Sequence, residues 1–168
     1  RRKQEDQALI LRYLAFRNNL EGFVHDVNPF LDRYAEDVTR FLEWRTIPEG
    51  KKKFNFDVKQ ELMDFTKLFS ILAATTAERS FTYPKSDLTA LTTGFSRYHF
   101  EGVVTGLSPH LKQLNPKNKV QMSRLKRALE KARLSPEFSK NSKGGGLNAK
   151  GPARNRKRII SEAVEAIT

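Results

Sequence analysis

Apolar residues recur at helical spacing along most of the chain, and no stretch alternates with the period of two that marks a strand. From Gln4 to about Leu20, Leu9, Tyr13, Phe16 and Leu20 fall at i, i+4, i+7 and i+11, and Ile10 and Leu14 widen the stripe. This predicts an amphipathic helix with a broad buried face. Asn28 offers an N-cap and Pro29 a first helical residue for a second helix. That helix carries Phe30, Leu31, Tyr34, Val38, Phe41 and Leu42, and should stop before Pro48-Glu49-Gly50.

After Lys51-Lys52-Lys53, read as a solvated loop, a third helix should start near Asn55 or Asp57 and run to about Arg79. Val58, Leu62, Phe65, Phe69 and Leu72 mark its core face, and the small residues 73–77 would let another helix approach. Ser86 is placed to cap a fourth helix bearing Leu88, Leu91, Phe95 and Tyr98, which Gly94 and Gly102 weaken. Gly106 and Ser108-Pro109 close it. The turn Asn115-Pro116-Lys117-Asn118 leads into a fifth helix over about 119–133, with Met122, Leu125, Leu129 and Ala132 inward. Ile160, Ala163, Val164 and Ile167 stripe a last helix. The expected fold is all-α, one domain of about six helices. Its parts are a helical core over 1–138, a flexible basic Gly-rich loop over 139–153, and a C-terminal amphipathic helix over 154–168 packing back on the core.

Size and composition support this picture. A chain of 168 residues can bury a real core, and twelve Phe, four Tyr and one Trp supply it. No apolar run is long enough for a membrane span, so no membrane partner is expected. The absence of Cys excludes disulfides, thiolate zinc sites and a cysteine nucleophile, and fits a cytoplasmic location. The chain opens Arg-Arg-Lys, without Met or a signal-peptide pattern, as expected for a piece of a longer protein.

Charge changes the picture more. The net charge is +12, yet residues 112–158 hold fifteen Lys and Arg against Glu130 and Glu137, while the rest holds sixteen against seventeen. The whole excess lies in one stretch, the electrostatic footprint of a polyanion-binding surface. A basic face that only keeps the protein soluble is the plainer reading of the same run. Within it, residues 140–158 (KNSKGGGLNAKGPARNRKR) invite comparison with a phosphate-cradling loop. The nucleoside-triphosphate loop needs Gly-Lys-Ser/Thr after a strand, and neither is present; the dinucleotide pattern fails because Ala149 stands where it needs the third Gly.

No residue pattern in the chain marks a catalytic centre. His25, His99 and His110 share no metal-ligand spacing, and no Cys is present to complete a zinc site. Asp57-Val58-Lys59 resembles the tail of a nuclease trio, but an acid at a helix start is explained by capping and the helix dipole. No catalytic residue, metal ligand or cofactor site is assigned in these residues.

Phosphate contact needs no fine geometry. The candidate nucleic-acid-binding residues are Lys117, Lys119, Arg124, Lys126, Arg127, Lys131 and Arg133 on and before the fifth helix. Lys143, Lys150, Arg154, Arg156, Lys157 and Arg158 join them on the loop and last helix. Cations at a helix start oppose the macrodipole, which suggests that an outside anion compensates Arg154 to Arg158. Phe138 is the only ring between 112 and 158, so backbone contact with duplex DNA is favoured over stacking on single strands. Charge reversal at Arg124, Arg127, Arg156 and Arg158 is expected to weaken binding.

Both ends of the chain also resemble a known family. RRKQEDQALILRYLAF followed by NPFLDRYAED resembles the segment after the nucleotide-binding core in GmrSD-type restriction-system proteins, ParB-related defence proteins, and the closing GLNAKGPARNRKRIISEAVEAI resembles that family's closing element, a loop followed by a basic-then-aliphatic helix. Arg2, Glu5, Leu11, Arg12, Phe30 and Leu31 stand at the first pattern, and Arg158 and Ile159 at the Arg-aliphatic step of the second. The middle matches only in being helical, and the family's Asp-Gly-Gln-Gln-Arg motif is absent from these residues. The resemblance implies the helical C-terminal half of such a domain, with an upstream α/β domain of the same protein as partner. Hydrolytic residues, a nucleoside triphosphate and a divalent metal would then belong to that upstream part, and duplex DNA to this one. A stand-alone nucleic-acid-binding module and a helical protein-interaction domain are the other readings of the same residues.

Overall fold

Asp57, Ser96, Asn118 and Ser135 each accept, through the side chain, a backbone N–H three residues on, and each starts a helix there. The computed structural model describes residues 2–45 and 54–168. The Pro48-Glu49-Gly50 breaker and the Lys51-Lys52-Lys53 loop lie outside the described residues. The helices are α1 (Arg2–Asn19), α2 (Val27–Trp44), α3 (Val58–Thr75), α4 (Arg97–Leu107), α5 (Lys119–Arg133), α6 (Pro136–Lys140) and α7 (Lys150–Glu165). Strands β1 (Thr82–Pro84) and β2 (Leu91–Phe95) form one small antiparallel ribbon before α4. The fold is predominantly all-α, a single domain.

Helix α4 is its axis: every residue from His99 to Leu107 is buried. Around it Tyr13, Leu68, Ile71, Leu72, Leu125, Leu129, Ile160 and Val164 close the main core. A second core lies between α1 and α2, where the Phe16, Phe23 and Phe30 rings meet at centroid distances of 4.9 to 5.3 Å.

Two glycines decide how closely α7 approaches α4. A Cβ on Gly106 would lie 2.5 Å from the Ile160 Cβ and 2.9 Å from the Lys157 carbonyl oxygen; one on Gly102 would lie 3.0 Å from the Arg156 Cβ. Gly102, expected to weaken this helix, and Gly106, expected to close it, therefore seat it against α7. Gly151, in the first turn of α7, faces open space. Replacing it by Ala removes unfolded-state freedom at no steric cost, so G151A is expected to stabilise by about 0.5–1 kcal/mol, read as a higher urea midpoint at unchanged m-value.

The region 82–96 departs from expectation. Leu88, Leu91, Phe95 and Tyr98 mimic helical spacing, but Asp87 accepts hydrogen bonds from the Thr89 backbone and hydroxyl instead of letting Ser86 cap a helix. Leu88 turns through φ 58°, and the β-branched Thr92 and Thr93 extend into β2. Helix α4 then starts eleven residues beyond Ser86, behind Ser96. On α3, Val58 and Leu62, expected in the core, are exposed, because that half of the helix meets α1 through charge: Arg17 donates to Glu61 at 2.5 Å and also to Asp64. The residues read as a loop over 139–153 hold the end of α6 and the start of α7, leaving 141–149 between helices.

Candidate nucleic-acid interface

Asn118 caps α5, and the Asn115 side chain accepts from the Lys117 backbone at 3.0 Å, so the turn that aims this helix is built from the Asn-Pro-Lys-Asn stretch itself. Met122, Leu125 and Leu129 are buried beneath α5, as the pattern requires. Its outer surface is mainly cationic, interrupted by the exposed Val120 and Ser123 and the half-buried Glu130. Arg124, Arg127 and Lys131 stand at i, i+3 and i+7 as one exposed stripe, with Lys119 and Lys126 exposed on the other shoulder and Lys117 in the turn. None of these six makes an ion pair among the described residues. The stripe edges a groove of about 600 Å³ between α5 and α7, floored by Ala128, Ala132, Ile159, Ala163 and Ile167.

The structure takes four other arginines out of the candidate set, or commits them elsewhere. Arg133 is fully buried, contrary to the expected phosphate contact. It donates to the Arg79 carbonyl at 2.7 Å, the Thr82 carbonyl at 2.9 Å and His99 Nδ1 at 3.3 Å, fastening the ribbon to α5. Burial lowers its pKa to about 10. Arg156 is fully buried as well, and cannot reach a phosphate. It donates to Glu101 at 2.7 Å and to the carbonyls of Asn141 and Leu147, so it holds the glycine-rich loop rather than a ligand. Arg154 is exposed but paired with Glu21, and Arg158 is exposed but paired with Glu137 and Glu162. The outside anion inferred for these residues is thus supplied by the chain, and α7 begins at Lys150, well before them.

Lys143 is exposed, and Lys150 and Lys157 are half-buried. The Lys150 backbone donates to Val24 at 2.8 Å and ties the loop to the α1–α2 corner. Between them Gly144 (φ 120°) and Gly146 (φ 72°) turn the chain in open space, with no strand before them, so this is a corner and not a phosphate cradle.

Beneath the surface lies a polar layer. Glu101 is paired with both Arg12 at 2.5 Å and Arg156 at 2.7 Å. Burial raises its pKa, while the two guanidinium groups pull it back. His99 lies between Arg133 and Arg156, and burial with both charges lowers its pKa from 6.5 to about 3. The unfolded chain therefore takes up this proton first, so stability is lost as pH falls from about 6.5 towards 3. The urea midpoint is expected to be lower at pH 4.5 than at pH 7, and the difference to shrink in H99Q.

No family model, curated protein or solved structure matches this chain. In the fold, residues that carry the terminal resemblance serve packing: Phe30, Leu31 and Ile159 are buried, and Arg12 pairs with Glu101. No group of three His, Asp or Glu able to hold a metal occurs among the described residues, and none of their helices is long and apolar enough to cross a membrane.

A cluster that sequence reasoning missed lies away from the basic stretch. Arg12, Tyr83, Phe95, Arg97, Tyr98 and Asn148 line a pocket of about 440 Å³. They come from α1, the ribbon, the first turn of α4 and the glycine-rich loop. A ribbon in place of the expected helix is what brings Tyr83 and Phe95 there, so period analysis could not find them.

Proposed function

We propose that this chain binds nucleic acid, duplex DNA in preference, through the outer surface of α5 and the turn before it. One observation carries the reading: while Arg133, Arg154, Arg156 and Arg158 are hydrogen-bonded or ion-paired within the fold, Lys117, Lys119, Arg124, Lys126, Arg127 and Lys131 stand exposed and make no ion pair among the described residues. The span from Lys119 to Lys131 is about 18 Å at 1.5 Å per helical residue, about the axial rise of five base pairs. Lys143, Lys150 and Lys157 extend the surface toward α7. Contacts of this kind read phosphates and not sequence.

Binding of a labelled 20-base-pair duplex, followed by fluorescence anisotropy, is expected to fall steeply with salt. For about five phosphate contacts, log K should decline with log salt at a slope of about −4.5. Salt-independent binding, or none at low ionic strength, would sink this reading. The role in a restriction or phage-defence protein is a narrower proposal. It rests on the resemblance at the two ends, and an Asp-Gly-Gln-Gln-Arg motif in a preceding α/β core would support it.

A further inference from the structure

The pocket between the ribbon and the first turn of α4 brings aromatic rings and guanidinium groups together. We propose that it binds one nucleotide unit, the base against the Tyr83 and Phe95 rings and the phosphate on Arg97 and Arg12. The choice of a nucleotide over other phosphorylated aromatics rests on the nucleic-acid reading of this chain.

Arg12 and Arg156 share a single carboxylate, Glu101, so this group keeps one positive charge in excess. Arg97 adds another: it is exposed and makes no ion pair among the described residues. It also sits at the first position of α4, where the helix dipole already presents positive potential. A guanidinium placed against that field is stabilised by an anion. Among the described residues lining the pocket, none is acidic. Asp6 lines a separate groove that shares Phe95.

Tyr83 and Phe95 are each 46% exposed, although a core rich in phenylalanine lies directly beneath them. Tyr83 packs over Gly94: a Cβ there would lie 3.4 Å from Tyr83 Cδ2, in ordinary van der Waals contact. Tyr98 has one face occupied by the Arg156 guanidinium, 4.6 Å from its ring centre. Exposed rings beside arginines form the platform on which bases stack in single-stranded nucleic-acid sites. The Asn148 amide offers a donor and an acceptor to a base edge. About 440 Å³ is within the range of small-ligand pockets.

The test uses the whole chain and titration calorimetry. The probes are dAMP, a 5′-phosphorylated single-stranded pentadeoxyadenylate, adenosine, inorganic phosphate and phosphotyrosine. Saturable binding of dAMP or the pentamer is expected, with adenosine and inorganic phosphate each at least tenfold weaker. Equal affinity for dAMP and the pentamer identifies a free nucleotide as the ligand, and tighter pentamer binding identifies a strand. Y83A and R97E should keep the circular-dichroism spectrum of the parent, with Y83A melting somewhat lower because half of its ring is packed on the ribbon and R97E melting with the parent. Each is expected to weaken nucleotide binding about tenfold, given the usual worth of one stacked base, while duplex binding by α5 persists. No saturable nucleotide binding, affinity unchanged in both variants, or phosphotyrosine binding as tightly as dAMP overturns the proposal. Duplex binding that fails while nucleotide binding persists refutes the α5 reading alone.

Discussion

Glu101→Ala is expected to cost the fold about 3–5 kcal/mol, because it leaves the fully buried Arg156 and the nearly buried Arg12 facing each other without a counter-charge. A loss of that size takes much of the stability of an ordinary domain. The cause is desolvation: both guanidinium groups left most of their water to meet one carboxylate, and removing it leaves Arg156 with only the Asn141 and Leu147 carbonyls and Arg12 with no counter-charge. E101Q keeps the shape and one acceptor, so it should cost less. The double variant E101L/R156M, which removes charge from both sides, should be more stable than E101A. Urea unfolding of the three variants checks this order, and a cost below about 1 kcal/mol for E101A would show that the carboxylate is not the counter-charge.

Gly106→Ala carries the second large effect. Alanine is normally the better helix former by about 1 kcal/mol, and in open space the change would stabilise. Here the added Cβ would sit 2.5 Å from the Ile160 Cβ, with the Lys157 carbonyl oxygen 2.9 Å away, so α7 must move off α4. Overpacking of this kind costs about 1–3 kcal/mol, and G106V should cost more than G106A. G151A, on a helix shared with that interface but in open space, should have the opposite sign. The pair separates close helix approach from helix propensity in one set of unfolding curves.

These two sites also show what sequence could and could not disclose. The ends of α5 were legible because Asn118 and the inward Met122, Leu125 and Leu129 are local signals. The start of α3 at Asp57 was legible for the same reason. The ribbon was not, since Leu88, Leu91, Phe95 and Tyr98 fall at spacings of three and four that a strand and a turn can also satisfy. The fate of the arginines was hidden more deeply. Arg156 lies in a basic run that reads as surface, and its carboxylate stands 55 residues away, while Arg12 meets the same carboxylate across 89. No rule based on neighbouring positions connects them. Gly102 reads as a weakness in the helix and Gly106 as its close for the same reason: the helix they admit comes much later in the chain.

What burial leaves on the surface is the central claim, and a matched pair of charge reversals tests it most directly. R124E/R127E/K131E reverses the α5 stripe, and R33E/K59E/K85E reverses three exposed cations elsewhere, for the same change in net charge. Anisotropy with the 20-base-pair duplex should show the α5 variant losing at least about 100-fold in affinity, its salt slope falling by about three, one for each lost phosphate contact. The control should stay within about tenfold of the parent, with its slope unchanged. Equal losses in the two variants would contradict the account, since binding would then follow the net charge of the chain and not the surface of α5.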